Sequence, residues 1–95
     1  MDLGLHTRIM RIADLMATSV DKEIVIMNLA KNNYVALDDI GRHIWDILKK
    51  PCRIDELCQQ LSREYKVDLE QVTADVLPFL NELQDEGLVC VADEV

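Results

Sequence analysis

The sequence is poor in the residues that build disulfide frameworks and phosphate-binding loops. It has three cysteines and three glycines in 95 residues. An odd number of cysteines without a Cys-x-x-Cys pair argues against a disulfide framework and against a zinc knuckle. We therefore expect Cys52, Cys58 and Cys90 to pack as small apolar side chains in a protein of a reducing compartment. Three scattered glycines also exclude a glycine-rich phosphate loop.

Residues that could carry catalysis are equally scarce. His6 and His43 are isolated from any cysteine, serine or carboxylate at a motif spacing, and Ser19 and Ser62 lie in no nucleophile elbow. The many carboxylates are better explained as a solvated acidic surface than as an acid–base pair. The sequence therefore predicts that the protein is not an enzyme, that it has no metal site and that it needs no cofactor.

Positive charge is missing from the last third of the chain. All ten Lys and Arg lie in residues 1–66, where ten Asp and Glu balance them, so the net charge of −8 comes from residues 67–95. Such a field repels phosphate backbones and anionic membranes and attracts basic peptides or proteins. Nucleic acid and membranes are therefore not expected as partners.

Long apolar runs and a leader-like N-terminus are also missing. No stretch approaches the roughly 18 apolar residues of a membrane span, and no signal peptide is recognisable. The sequence therefore predicts a cytoplasmic protein of one domain. We divide it into an N-terminal arm or extra strand (1–15), a folded domain (16–91) and an acidic tail (92–95).

Short alternating segments predict a three-stranded antiparallel meander. Residues 16–20 form the first strand, Asp21-Lys22 a two-residue turn, and residues 24–29 the second strand, which is rich in β-branched side chains. Residues 31–33 form the next turn, with Asn32 or Asn33 at positive φ. Residues 34–37 then return as the third strand.

Beyond the meander the apolar spacing changes to that of helices. Asp38 or Asp39 caps the first helix, whose apolar face contains Ile40, Ile44, Trp45, Ile47 and Leu48. A second helix carries its stripe at Ile54, Leu57, Cys58, Leu61 and Tyr65. An Asp68-x-x-Gln71 cap opens the third helix, which contains Pro78, should kink there, and ends at Gly87; a short strand over 88–91 closes the chain.

This arrangement predicts an α+β fold resembling a winged helix-turn-helix. DNA binding would make the third helix the recognition element, but that helix has five acidic residues and no base. A peptide-binding module fits better, because the strand 34–37 lacks the Lys, Pro or bulge that normally protects an exposed edge. The alternative is that this strand is central or covered by the third helix. An acidic winged-helix adaptor or regulator is the second candidate function.

Two segments resemble the PqqD family of precursor-peptide recognition proteins. Residues 33–48 (NYVALDDIGRHIWDIL) resemble its strand-to-helix signature, and residues 75–88 (DVLPFLNELQDEGL) resemble its closing helix. Within that family, the sequence of these segments is most similar to stand-alone members that serve lasso-peptide biosynthesis. Asn32 replaces a common turn glycine, Arg53 replaces a hydroxyl cap, and Pro78 interrupts the last helix, where it could reshape a groove.

The resemblance implies binding of the leader segment of a ribosomally synthesised precursor peptide by strand addition. It also implies delivery of the precursor to a leader peptidase and, as a further candidate, to a macrocyclase; the oligomeric state stays open. The leader would carry a Tyr-x-x-Pro-like motif and need an apolar pocket. Carried over to this sequence, the peptide-binding residues are Asn33, Tyr34, Val35, Ala36 and Leu37 on the strand, and Val72, Asp75, Val76, Phe79 and Leu83 on the helix. Val76, Phe79 and Leu83 have an alternative role as ordinary core, and Tyr34 has an alternative role in packing of the hairpin.

Overall fold

The computed structural model describes residues 3–92 and contains two small sheets and three helices. The elements in chain order are β1 (Arg8–Arg11), β2 (Met16–Val20), β3 (Glu23–Asn28), β4 (Asn33–Leu37), α1 (Asp39–Ile47), β5 (Cys52–Arg53), α2 (Ile54–Tyr65), α3 (Leu69–Asp85) and β6 (Val89–Val91). Most of the expected acidic tail, residues 93–95, and the first two residues of the expected arm lie outside the described residues.

The predicted meander is confirmed as an antiparallel sheet in the order β2-β3-β4. Ile24 pairs with Leu37 and Asn28 pairs with Asn33, so the strands begin and end within a residue of their predicted bounds. Asp21 and Asn32 have φ angles of 56°, as the tight turns require. Ile24 and Ile26 alternate with more exposed neighbours and bury one face of the sheet.

A second sheet, in the order β5-β1-β6, was not predicted as such. Residues 8–11 form its central strand, Cys52 of β5 pairs with Ile9 on one side, and Cys90 of β6 pairs with Met10 on the other. Arg11 joins this sheet to α1: its guanidinium lies 4.5 Å from the ring centroid of Trp45, and its Nε donates a 2.9 Å hydrogen bond to the Trp45 carbonyl. The second sheet thereby holds residues 8–11 and 89–91 together, and Arg11 joins them to α1.

The helix ends agree with the sequence at α1 and α3 but not in every cap. Asp38 is the N-cap of α1, where its Oδ1 accepts a 2.8 Å hydrogen bond from the amide of Gly41. Gly87, at φ 79°, follows the C-cap of α3. Asp68 is the N-cap of α3, but the predicted Asp68–Gln71 capping interaction is wrong: Asp68 makes no side-chain cap bond, and the side-chain amide of Gln71 donates to the carboxylate of Asp75.

The core lies between the meander and the helices. Ile44, Trp45 and Leu48 of the first helical stripe are buried there, as predicted. Three residues assigned to apolar helix faces are largely exposed, namely Ile40 (49%), Tyr65 (45%) and Leu69 (45%). Each lies in the first or last turn of its helix, where the helix extends past the core it packs against.

Candidate functional site

β4 is an edge strand of its sheet. It pairs with β3 on one side, and no other strand among residues 3–92 pairs with its second side. The alternative of a central strand is therefore wrong. A strand edge with unpaired N–H and C=O groups can accept another strand, and nothing in the sequence of β4 blocks such pairing.

A groove opens beside the end of this strand. Its volume is about 470 Å³, within the range of roughly 300–1,000 Å³ typical of ligand pockets. It is lined by Glu23, Ala36, Leu37, Asp38, Ile40, Gly41, Ile44, Asp75, Val76 and Phe79. Seven of the ten are apolar or glycine, and three are carboxylates. The groove can therefore take apolar side chains and has a negative margin.

Phe79 gives the groove its aromatic wall. Its ring reaches across from α3 to α1, where a Cβ atom on Gly41 would lie 3.3 Å from the ring Cζ and 3.2 Å from the Cβ of Leu37. Such distances are tighter than ordinary van der Waals contact. The absence of a side chain at Gly41 is thus what lets strand, α1 and α3 approach one another at the base of the groove.

The hairpin between β3 and β4 holds the far end of α3. Asn28, which is buried, donates from Nδ2 to the carbonyl of Gly87 at 2.9 Å, and Lys31 donates from Nζ to the carbonyl of Asp85 at 3.0 Å. Asn33 donates to Glu86 twice, to its carbonyl at 3.2 Å and to its Oε2 at 2.6 Å. These side chains satisfy carbonyls that a helix end leaves without donors. They also fix the distance between β4 and α3 at this end of the groove.

Half of the ten residues carried over from the family lie together in the groove. These are Ala36, Leu37, Asp75, Val76 and Phe79. The other five lie elsewhere: Val72 and Leu83 are in the core, Val35 packs against the core, Asn33 is in the contact with Glu86, and Tyr34 is 71% exposed on the sheet. The structure therefore places Val72 and Leu83 with the core, the alternative that the sequence had left open for Leu83.

Five groove residues were not predicted as site residues, namely Glu23, Asp38, Ile40, Gly41 and Ile44. Ile40 carried a signal, because an apolar residue in the first turn of α1 lies next to the end of β4. Gly41 carried another, since a glycine inside a helix costs about 1 kcal/mol relative to alanine and needs a reason. Here the reason is the close approach of Phe79.

Pro78 does not line this groove. It lies inside α3, which continues through it from Leu69 to Asp85, and it lines a different cavity. At 100° per residue, Pro78 is more than a quarter turn from Phe79 on the helix circumference. An effect of Pro78 on the groove through the shape of α3 stays a prediction.

No cluster suited to catalysis is evident in the described part of the chain. Burial raises the pKa of the Cys52 and Cys58 thiols, the opposite of what an activated nucleophile requires. His43 contacts Glu64 and Tyr65, with Nε2 3.0 Å from the Glu64 carboxylate. Across residues 3–92, no three His, Cys, Asp or Glu side chains are grouped to hold a metal ion. The helices of this region are all too short or too polar to cross a membrane.

The fold and the groove together define a winged-helix-like domain with an open strand edge beside an apolar cleft. The family model for "Coenzyme PQQ synthesis protein D (PqqD)" matches residues 23–89, so the chain belongs to the PqqD family. A solved structure described as "TbiB1 in Complex with the TbiA(beta) Leader Peptide" is similar to it, with a TM-score of 0.78 and 27% sequence identity over 90% of this chain and 99% of that chain. Comparison with curated proteins gave no match.

Proposed function

We propose that this protein binds the leader segment of a ribosomally synthesised precursor peptide, as an added strand on β4, and presents it to modifying enzymes of lasso-peptide biosynthesis. The single observation that carries the proposal is the unpaired edge of β4 opening directly onto the groove around Phe79. Family membership and the similarity to TbiB1, which is described in complex with a leader peptide, support the same function.

Strand pairing alone would give little affinity. Five paired residues form four or five hydrogen bonds worth about 1 kcal/mol each, whereas ordering them costs roughly 1–2 kcal/mol per residue. The surplus has to come from apolar side chains, at about 1.5–3 kcal/mol for each one buried. The groove provides the surface for this burial in Ala36, Ile40 and Phe79, and Ile40 is 49% exposed without a ligand.

We revise the binding residues accordingly. The leader backbone pairs with residues 33–37, and its apolar side chains enter the groove beside Val76 and Phe79. Val72 and Leu83 support the groove from the core. Asp75 and the other carboxylates at the groove, Glu23 and Asp38, attract a leader that carries basic residues.

The enzymes that use the bound leader are a leader peptidase and a macrocyclase in this proposal. The protein itself contributes recognition and positioning and performs no chemistry. This division fits a chain in which burial raises the pKa of the Cys52 and Cys58 thiols and whose site is an apolar groove.

Amide hydrogen exchange tests the proposal. The probe is a synthetic leader peptide that carries a Tyr-x-x-Pro-like motif and basic residues, added to the labelled protein. Strand addition should slow the exchange of those β4 amides that β3 does not bond, because the leader supplies their acceptors. Tight binding with no change at β4, or no binding at all, would contradict the proposal.

A further inference from the structure

The second large cavity of the protein lies on the other flank of α3. It has a volume of about 590 Å³ and shares no lining residue with the groove around Phe79 beside β4, which we call the leader groove. Its lining consists of Leu5, Leu69, Glu70, Thr73, Ala74, Leu77 and Pro78. Leu5 and Leu69 are 41% and 45% exposed, so apolar surface remains open to solvent here.

Pro78 makes this face polar at one defined point. A helix residue normally donates its N–H to the carbonyl four residues earlier, but proline has no N–H. The carbonyl of Ala74, a residue that lines the same cavity, therefore lacks the donor that position 78 of a helix would normally supply. Proline inside a helix is also the least favourable residue for helix stability. Folding of this domain alone gives no reason for Pro78.

We propose that this face, which we call the Pro78 face, docks the enzyme that acts on the bound precursor. The docking segment presents an apolar side chain flanked by Lys or Arg. The apolar group fills the space between Leu5, Leu69 and Leu77, and a basic side chain pairs with Glu70 and donates to the Ala74 carbonyl. This inference rests on the proposed leader-binding function and names a partner surface for it.

Position and charge together favour this occupant. One flank of α3 lines the leader groove and the other forms the Pro78 face, so a docked enzyme lies about one helix diameter, roughly 10–12 Å, from the bound leader. Residues 67–92 contain six carboxylates and no base, which favours a basic partner. A second copy of this chain would bring Glu70 against Glu70 and add a net charge of −8 to another −8.

Two variants test the proposal with the full-length protein. Pro78→Ala restores a helical hydrogen-bond donor to Ala74, and Glu70→Lys reverses the charge in the cavity. Glu82→Lys is the matched control, because Glu82 is an exposed carboxylate of the same helix that lines neither cavity. The probes are a purified leader peptidase of lasso-peptide biosynthesis and the synthetic leader, with affinities measured separately by biolayer interferometry.

We expect Pro78→Ala to raise the unfolding midpoint by about 5 °C, since the helix gains a hydrogen bond. Both test variants should bind leader within twofold of the wild type and bind the peptidase at least fivefold more weakly, while Glu82→Lys changes peptidase binding less than twofold. Unchanged peptidase affinity in both test variants overturns the inference, as does a wild-type protein that binds leader but no peptidase. Sedimentation showing a dimer that Glu70→Lys disrupts also overturns it. A wild-type protein that does not bind the leader refutes the proposed leader-binding function instead.

Discussion

Phe79 faces Gly41 across the groove beside β4 and leaves no room for a side chain there, because a Cβ on Gly41 would lie only 3.3 Å from the ring Cζ. The aromatic wall on α3 therefore depends on a missing side chain on α1. The width of the groove is set by this contact at one end and by the hairpin contacts of Asn28, Lys31 and Asn33 at the other. Residues proposed to bind the leader therefore also hold β4, α1 and α3 together.

Gly41→Ala should weaken leader binding by about 3- to 10-fold without unfolding the protein. The added methyl group forces Phe79 and Leu37 apart, while the gain of about 1 kcal/mol in helix propensity offsets part of the strain. Leader titration and denaturant unfolding measure the two effects separately. Gly4→Ala is the control, because a Cβ there meets only Thr7 Oγ1 at an ordinary 3.5 Å. Equal leader affinity in both variants would show that the groove is not closed at Gly41.

Asn28→Ala should destabilise the fold by about 1–3 kcal/mol. The buried amide bonds the Gly87 carbonyl and accepts from the Lys31 amide, and its removal leaves a buried carbonyl without a donor. Urea unfolding measures the loss. Truncation of the exposed Gln59 to alanine provides the comparison and should change the free energy of unfolding by less than about 0.5 kcal/mol. Similar small values for both would mean that the hairpin does not hold α3.

Acid should weaken the contact between α1 and α2. The hydrogen bond from His43 holds the pKa of Glu64 below its ordinary value. The pKa of Glu64 is lower in the folded state than in the unfolded state. Its interaction with His43 therefore stabilises the fold above the unfolded-state pKa, and this stabilisation is lost as pH falls through the folded-state pKa. His43→Ala should therefore raise the pKa of Glu64, as read from the titration of its side-chain carboxyl signal by NMR. An unchanged titration midpoint would exclude His43 as the cause.

Salt should slow leader association and leave dissociation nearly unchanged. The carboxylates around the groove are exposed, so they accelerate the encounter with a basic leader but contribute little to the final complex. Stopped-flow association and displacement experiments at two ionic strengths give the two rates. A dissociation rate that rises steeply with salt would mean that charge pairing, and not apolar burial, holds the leader.

The meander and the three helices were predictable because their apolar residues recur at strand and helix spacings, and because Asp21, Asn32 and Asp38 mark two turns and a helix cap. The sheet formed by β1, β5 and β6 was not, since strands of two to four residues are too short to show alternation. The groove was half predictable. Helical periodicity places both Ile40 and Leu83 on apolar helix faces, but only the fold shows that Ile40 lies past the core and that Leu83 lies within it. The position of Pro78 on the far flank of α3 likewise depends on which face of the helix is buried.

Whether the apolar groove supplies the binding free energy of the leader is decided by the affinity of the Phe79→Ala variant for the leader. Phe79 is partly buried, lines the groove and packs against the core from one side, so its removal takes away the apolar surface on which the leader depends. We predict a loss of about 10- to 100-fold in leader affinity, corresponding to roughly 1.5–3 kcal/mol, against less than twofold for neutralisation of the exposed Asp85 by Asp85→Asn. Equal losses in the two variants would contradict an apolar groove as the source of binding.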